Sequence, residues 1–179
     1  SINIKDRRDC STGVYSAKGE LVAQAEHIPL HLGLMPSVIQ EVLKIYPTSN
    51  LCEGDAILIN DPYISGSHLP DCCVISPVFY DGELIALIAN LAHHSDIGGI
   101  APGGMPITAK DIFQEGIRIL PCKIRSQGKV NEELLNLIIH NTRTPEEWQG
   151  DLEAQLASNN VGERRLLELI QKHGVEFIK

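Results

Sequence analysis

The sequence predicts an α/β chain of the mixed α+β kind, with β-hairpins and a mixed sheet packed with helices and a long helix near the C-terminus. Three observations carry this reading. Asp81-Gly82 sits between two runs rich in Ile, Val, Leu and Phe, Val74–Tyr80 and Glu83–Ala92, which is the strongest short-range signal for a hairpin. Met35–Tyr46 repeats its apolar residues at helical spacing. Thr144-Pro145-Glu146-Glu147 opens a helical pattern that runs on to Gly174. A chain of 179 residues suits one domain with a buried core. Residues 1–125 form its β-rich part and residues 130–174 its helical part.

The first nine residues, S-I-N-I-K-D-R-R-D, set Lys5, Arg7 and Arg8 against Asp6 and Asp9. Such a run is a solvated segment, or else an anion-binding edge in which Arg7 or Arg8 pairs with Asp9 or holds a phosphate or carboxylate. Thr12–Tyr15 and Glu20–Ala25 bracket Ala17-Lys18-Gly19, a second hairpin signal. His27 and His31 lie four apart, but Pro29 between them opposes helical pairing, so any contribution to a site would come from a loop. Val38, Val42 and Ile45 mark the inner face of the Met35–Tyr46 helix, which Pro47 ends. Cys52-Glu53-Gly54-Asp55 turns into a short buried strand, Ala56–Ile59. Beyond the Asp81-Gly82 hairpin, Thr108–Phe113 suggests a short helix, Ile117–Ile124 a strand and Asn131–His140 a helix. In the last helix Thr144 is the N-cap, Pro145 the first residue and Glu147 the partner in a capping box, while Gly162 offers a kink. Its polar residues Gln155, Asn159 and Asn160 imply packing against a partner or a further domain, or plain exposure.

The chemistry concentrates in Asn60–Gly104. This stretch reads N-D-P-Y-I-S-G-S-H-L-P-D, then the two apolar runs, then H-H-S-D-I-G-G-I-A-P-G-G. Folding at Asp81-Gly82 returns Asp71 to the side of His93-His94. A two-residue loop sets Asp71 opposite Ala92, on the face of His94; a three-residue loop with Gly82 left-handed sets it opposite Leu91, in line with His93. His68 precedes Asp71 by three residues across Leu69-Pro70, in a segment that Pro70 keeps out of helix. Two imidazoles and a carboxylate make a facial set of three ligands for Mn, Fe or Zn. The bland alternative is a surface histidine and a strand end. Asp61, delivered by the end of a strand, is a candidate hydrogen-bond partner for a histidine ligand or a general base, and alternatively an Asx turn cap. Asp96 is placed to orient a ligand, and Glu115 is a further carboxylate candidate.

Composition narrows the function classes. A formal net charge of −8 and a pI near 5.3 argue against a nucleic-acid or anionic-membrane surface. No apolar run reaches the length of a membrane span. Five cysteines without C-x-x-C spacing point to reduced thiols in the cytoplasm, with Cys72-Cys73 facing the core. Gly98-Gly99 and Gly103-Gly104 flank Pro102 in a shaped loop, and no Lys-Ser/Thr follows to make it a nucleotide motif.

S-I-N-I-K-D-R-R-D, L-V-A-Q-A-E-H-I-P-L-H-L-G, N-D-P-Y-I-S-G-S-H-L-P-D, N-L-A-H-H-S-D-I-G-G, Q-E-G-I-R-I and N-T-R-T-P-E-E-W-Q-G-D-L, in that order, resemble the hydantoinase B/5-oxoprolinase family, which includes a subunit of acetone carboxylase. The resemblance runs from Ser1 to about Leu169. Ser65-Gly66-Ser67-His68 stands where the family usually has G-G-T-H. It implies ATP-dependent opening of a cyclic amide, such as a hydantoin or 5-oxoproline, by an oligomer with an A-type subunit that binds ATP. The acetone carboxylase branch implies carboxylation instead, with Mn held by residues matching His68, Asp71 and His93. Asp61 or His94 would then move the proton. B-type subunits are several times longer, so the resemblance makes this chain an inner portion of one. A module that only docks the ATP-binding subunit through the long helix is the reading from another class.

Overall fold

A computed structural model describes residues 1–25 and 28–177 of the protein. His27 therefore lies outside the described residues. In chain order the elements are α1 (Ile2–Lys5), β1 (Cys10–Ser16), β2 (Leu21–Gln24), α2 (Pro29–Ile45), β3 (Ala56–Ile59), α3 (Pro62–Ser65), β4 (Asp71–Tyr80), β5 (Glu83–His93), β6 (Cys122–Ser126), β7 (Lys129–Val130), α4 (Glu132–Ile139) and α5 (Pro145–His173). The strands form one seven-stranded sheet in the order β2-β1-β5-β4-β3-β6-β7, and every pairing is antiparallel. The hairpin β4–β5 sits at its centre, flanked by β1 and β3.

Strand alternation sends successive side chains to opposite faces, and helices cover both. On one face Met35, Val38, Ile39 and Val42 of α2 pack on Ile57, Ile59, Cys73, Ile75, Leu87 and Leu91. On the other, Leu135 and Ile138 of α4 and Trp148, Leu152 and Leu156 of α5 pack on Ala56, Leu58, Cys72 and Val74. Further along α5, Leu166 and Ile170 meet Val78, Ala86 and Ile88. Cys72 and Cys73 are both fully buried, one on each face. β3 is buried along its whole length, which accounts for its uninterrupted apolar run.

Several elements differ from expectation for identifiable reasons. Helix α2 begins at Pro29, six residues before Met35, because a proline at the first helical position loses no hydrogen bond. His31 is thereby placed in a helical first turn. Thr108–Phe113 yields only a 3-10 turn, Ile112–Gln114. The strand expected from Ile117 starts at Cys122. Before it, Asn60 substitutes for a ladder: its Oδ1 accepts from Ile119 N at 2.6 Å and its Nδ2 donates to Leu69 O and Ile117 O at 2.7 and 3.0 Å. Thr144 precedes α5 as expected, but its side chain makes no capping bond.

Helix α5 runs unbroken through Gly162, where a Cβ would come within 3.0 Å of Ile88. The glycine permits close approach to the sheet. The polar side chains of α5 also serve the sheet. Gln155 donates to Cys72 O and Asn90 Oδ1, both at 2.8 Å. Asn159 donates to Val74 O and Ser76 Oγ and accepts from Asn90 Nδ2. Asn160 is exposed and accepts from Arg125 at 3.1 Å. Among the described residues no helix is long and apolar enough to cross a membrane.

Candidate metal centre

The turn of the central hairpin holds Asp81 at φ 50° and Gly82 at φ 79°, with Tyr80 paired to Glu83. This is a two-residue loop of the primed type, whose twist suits the strands. Such a loop alone would set Asp71 opposite Ala92. The pairing, however, passes from Phe79 with Leu84 to Val78 with Ala86, so Ile85 is an extra residue in β5. The bulge advances the register by one and sets Asp71 directly opposite His93. The loop is thus the first of the two expected forms, and the face is that of the second.

His68 arrives through a tight turn in which Asp71 N donates to His68 O at 3.1 Å. Its Nε2 lies 3.0 Å from Asp71 Oδ1, His93 Nδ1 lies 3.1 Å from the same oxygen, and the two nitrogens are 3.0 Å apart. The backbone fixes this end of the hairpin, with His93 N donating to Asp9 O and His94 N to Pro70 O. Asp71 and His93 are buried, whereas the His68 side chain is 37% exposed and forms the open side of the group. An octahedral site with bonds of about 2.1 Å has edges of about 3.0 Å, so the three donor atoms fit one face of such a site.

Electrostatics favours a cation here. Burial alone would raise the Asp71 carboxyl, but His31, His68, His93 and Ser67 together hold it far below the carboxylate range, so it is ionised. The hydrogen bond to Asp71 raises His68, against the opposing pull of burial. His68, Asp71 and His93 are the one group of His, Cys, Asp or Glu among the described residues close enough to share an ion.

The other expected residues lie outside this group of three. Asp61 forms a two-point ion pair with Arg118 at 2.9 Å and caps α3 by accepting from Tyr63 N. His94 projects to the α5 face, where Nε2 meets Gln155 Oε1 at 2.9 Å and the ring lies 4.8 Å from Trp148. Burial lowers its pKa, although Gln155 and Asp151 oppose this. Asp96 accepts from the N–H groups of Gly98, Gly103 and Arg143 and pairs with the Arg143 guanidinium, so it braces the glycine loop. Gly99 brings that loop onto Gln114 O, leaving 2.5 Å for a Cβ. The close approach is to the protein's own backbone. Glu115 shares with His68 the lining of an open cleft that also includes Tyr63, Ser67 and Lys110. Sequence reasoning left His31 in a loop; it is buried 3.5 Å from Asp71 Oδ2, and the proline at the start of α2 was the signal for its placement.

Comparison with known proteins adds a second line. The sequence model of the family described as hydantoinase B/oxoprolinase matches residues 1–179. The chain is 47% identical over 176 residues to an uncharacterised protein of Methanocaldococcus jannaschii, covering 97% of this chain and 31% of that protein. It is 39% identical to a 5-oxoprolinase of Dictyostelium discoideum, covering 99% of this chain and 14% of the other. It is also 39% identical to the caprolactamase subunit beta of Pseudomonas jessenii, covering 96% and 29%. The crystal structure of that ATP-dependent caprolactamase superposes with a TM-score of 0.89 over 94% of this chain and 29% of the other. A nucleotide-free acetone carboxylase shares the fold, with a TM-score of 0.91 at 23% identity, over 98% of this chain and 23% of the other. The chain thus spans less than a third of the length of each of these relatives.

Proposed function

The chain belongs to the hydantoinase B/oxoprolinase family, and on that basis we propose that it forms the metal-binding part of a B-type subunit that opens a cyclic amide in an ATP-dependent reaction. The observation that carries this reading is the triangle of His68 Nε2, Asp71 Oδ1 and His93 Nδ1, each side 3.0–3.1 Å. The relatives named 5-oxoprolinase and caprolactamase subunit beta support the substrate class and a partner subunit. The partner in this proposal is an A-type subunit that binds ATP, within an oligomer.

His68, Asp71 and His93 would hold the ion, and two imidazoles with one carboxylate suit a divalent transition ion, Mn, Fe or Zn. A bound ion supplies Lewis acidity to a carbonyl oxygen and a place for the attacking water. The chain's own contribution is position and charge. Asp71 stays ionised, His68 stands at the solvent-facing side, and Glu115 and Lys110 border the cleft through which a substrate would approach. An unstrained ring amide is a poor electrophile toward water, so ATP on the partner would first activate the substrate. The contacts of Asp61 and His94 lend no support to proton transfer by either; in this proposal Arg118 holds the first and Gln155 the second as anchors of the fold. Five cysteines without C-x-x-C spacing accord with a reducing cytoplasm.

The test is His68→Ala in the full subunit, assayed with its ATP-binding partner. Loss of bound metal and a fall in ring-opening rate of at least about 100-fold are expected. Full metal content and full activity would remove the proposal; absence of metal from active wild-type protein would favour a module that serves assembly alone.

A further inference from the structure

Resting on the metal-site reading, we propose that His31 is a positioning residue that holds the Asp71 carboxylate in the orientation needed to ligate an ion. The two oxygens of Asp71 divide their work. Oδ1 faces His68 and His93 at 3.0 and 3.1 Å. Oδ2 is turned away from them, hydrogen-bonded by Ser67 Oγ and approached by His31 Nε2 at 3.5 Å. Rotation of the carboxylate about its Cβ–Cγ bond would break both sets of contacts.

His31 is itself held. Its ring is buried, and Nδ1 lies 3.3 Å from Ser11 Oγ. That hydroxyl also accepts from Ile28 N at 3.2 Å and lies 3.5 Å from Ile28 O, so it is itself fixed by the start of α2. Among the described residues Nε2 faces two carboxylates, Asp71 Oδ2 and Asp9 Oδ1, the latter at 3.7 Å, so it is the ring nitrogen placed to carry a proton. The first turn of α2 and the first residues of β1 thus combine to aim one N–H at the outer oxygen of a central ligand. Partners of this kind fix the orientation of a ligating group, and their loss typically costs 10–100-fold in metal affinity. Glutamine is the conservative replacement, because its amide N–H reaches a place similar to that of Nε2.

The test measures Co(II) affinity and the visible Co(II) spectrum of the full polypeptide, isolated with any subunit that accompanies it. Wild type, His31→Ala, His31→Gln, Ser11→Ala and His68→Ala are compared, with thermal unfolding as the control for folding. The expected result is that wild type binds, His31→Ala binds about 10–100-fold more weakly with an altered ligand-field band, and His31→Gln recovers most of the affinity. Should His31→Ala fail to fold, Ser11→Ala decides, and an affinity several-fold below wild type is expected. If wild type binds and His68→Ala does not, yet the His31 and Ser11 variants match wild type in affinity and spectrum, the role of His31 is overturned and the metal site stands. If wild type takes up no Co(II), both fall together.

Discussion

Asp55, Asp61, Asp71 and Asp96 are all buried aspartates, and they differ in the charge of their partners. Asp55 meets Lys123 at 2.7 Å and the N–H groups of Cys52 and Gln127 at 2.9 Å; Asp61 meets Arg118, and Asp96 meets Arg143. Each of these charges is already neutralised by a permanent cation. The ion partners of Asp71 among the described residues are imidazoles, whose nitrogens can give up a proton and accept a metal. A prediction follows for Asp55. Burial would raise its carboxyl, but Lys123 and the two backbone donors hold it below the usual range. Because its folded pKa is depressed, the stability it contributes is present above the unfolded value of about 4 and lost as pH falls through the folded value. Asp55→Asn should lower stability near pH 7 by about 2–3 kcal/mol in denaturant melts. The gap between the two proteins should close below about pH 4; a gap independent of pH would contradict this account of Asp55. At this scale residue type and spacing marked His68, Asp71 and the His93-His94 pair, without choosing between the two histidines. It hid His31, whose place beside Asp71 depends on a helix that begins earlier than its apolar repeat.

Hairpin β4–β5 and helix α5 show what can and cannot be read at the scale of an element. Asp81-Gly82 marked the turn correctly, because two consecutive left-handed residues favour that pair. The bulge at Ile85 has no comparable mark, since Ile85 sits among apolar neighbours that suit either face. One extra residue therefore decided which histidine faces Asp71. In α5 the apolar repeat located the helix, while Gln155 and Asn159 read as misplaced because their partners, Asn90, Ser76 and the carbonyls of Cys72 and Val74, lie on strands distant in sequence. These bonds tie the helix to both central strands. Asn159→Ala leaves Asn90, Ser76 and Val74 O without this partner, so a loss of about 2–4 kcal/mol is expected. Calorimetry should register it as a fall in Tm of about 5–10 °C. A change within 1 °C would mean that the buried amides contribute little. Metal affinity should be nearly unchanged, since this network lies on the opposite face of the sheet from His93.

Across the whole molecule, the sheet separates two kinds of work. Helices α4 and α5 secure one face through a mostly apolar core with an amide network, while α2 covers the other and reaches the ligand group through His31. His68, Asp71 and His93 gather at one end of the two central strands, which β1 and β3 flank on either side. The mixed α+β class was legible because hairpin and helix signals are local. The order of strands was not, because it joins β1 to β5 and β3 to β6 across long separations that periodicity does not encode. The central claim is a cation gripped at the end of this hairpin. Anomalous diffraction from crystals of the full subunit, grown with Mn(II), tests it most directly. The account predicts one anomalous peak per chain within bonding distance, about 2.2 Å, of His68 Nε2, Asp71 Oδ1 and His93 Nδ1. A fully occupied ion bound elsewhere, with these three side chains turned apart, would contradict it.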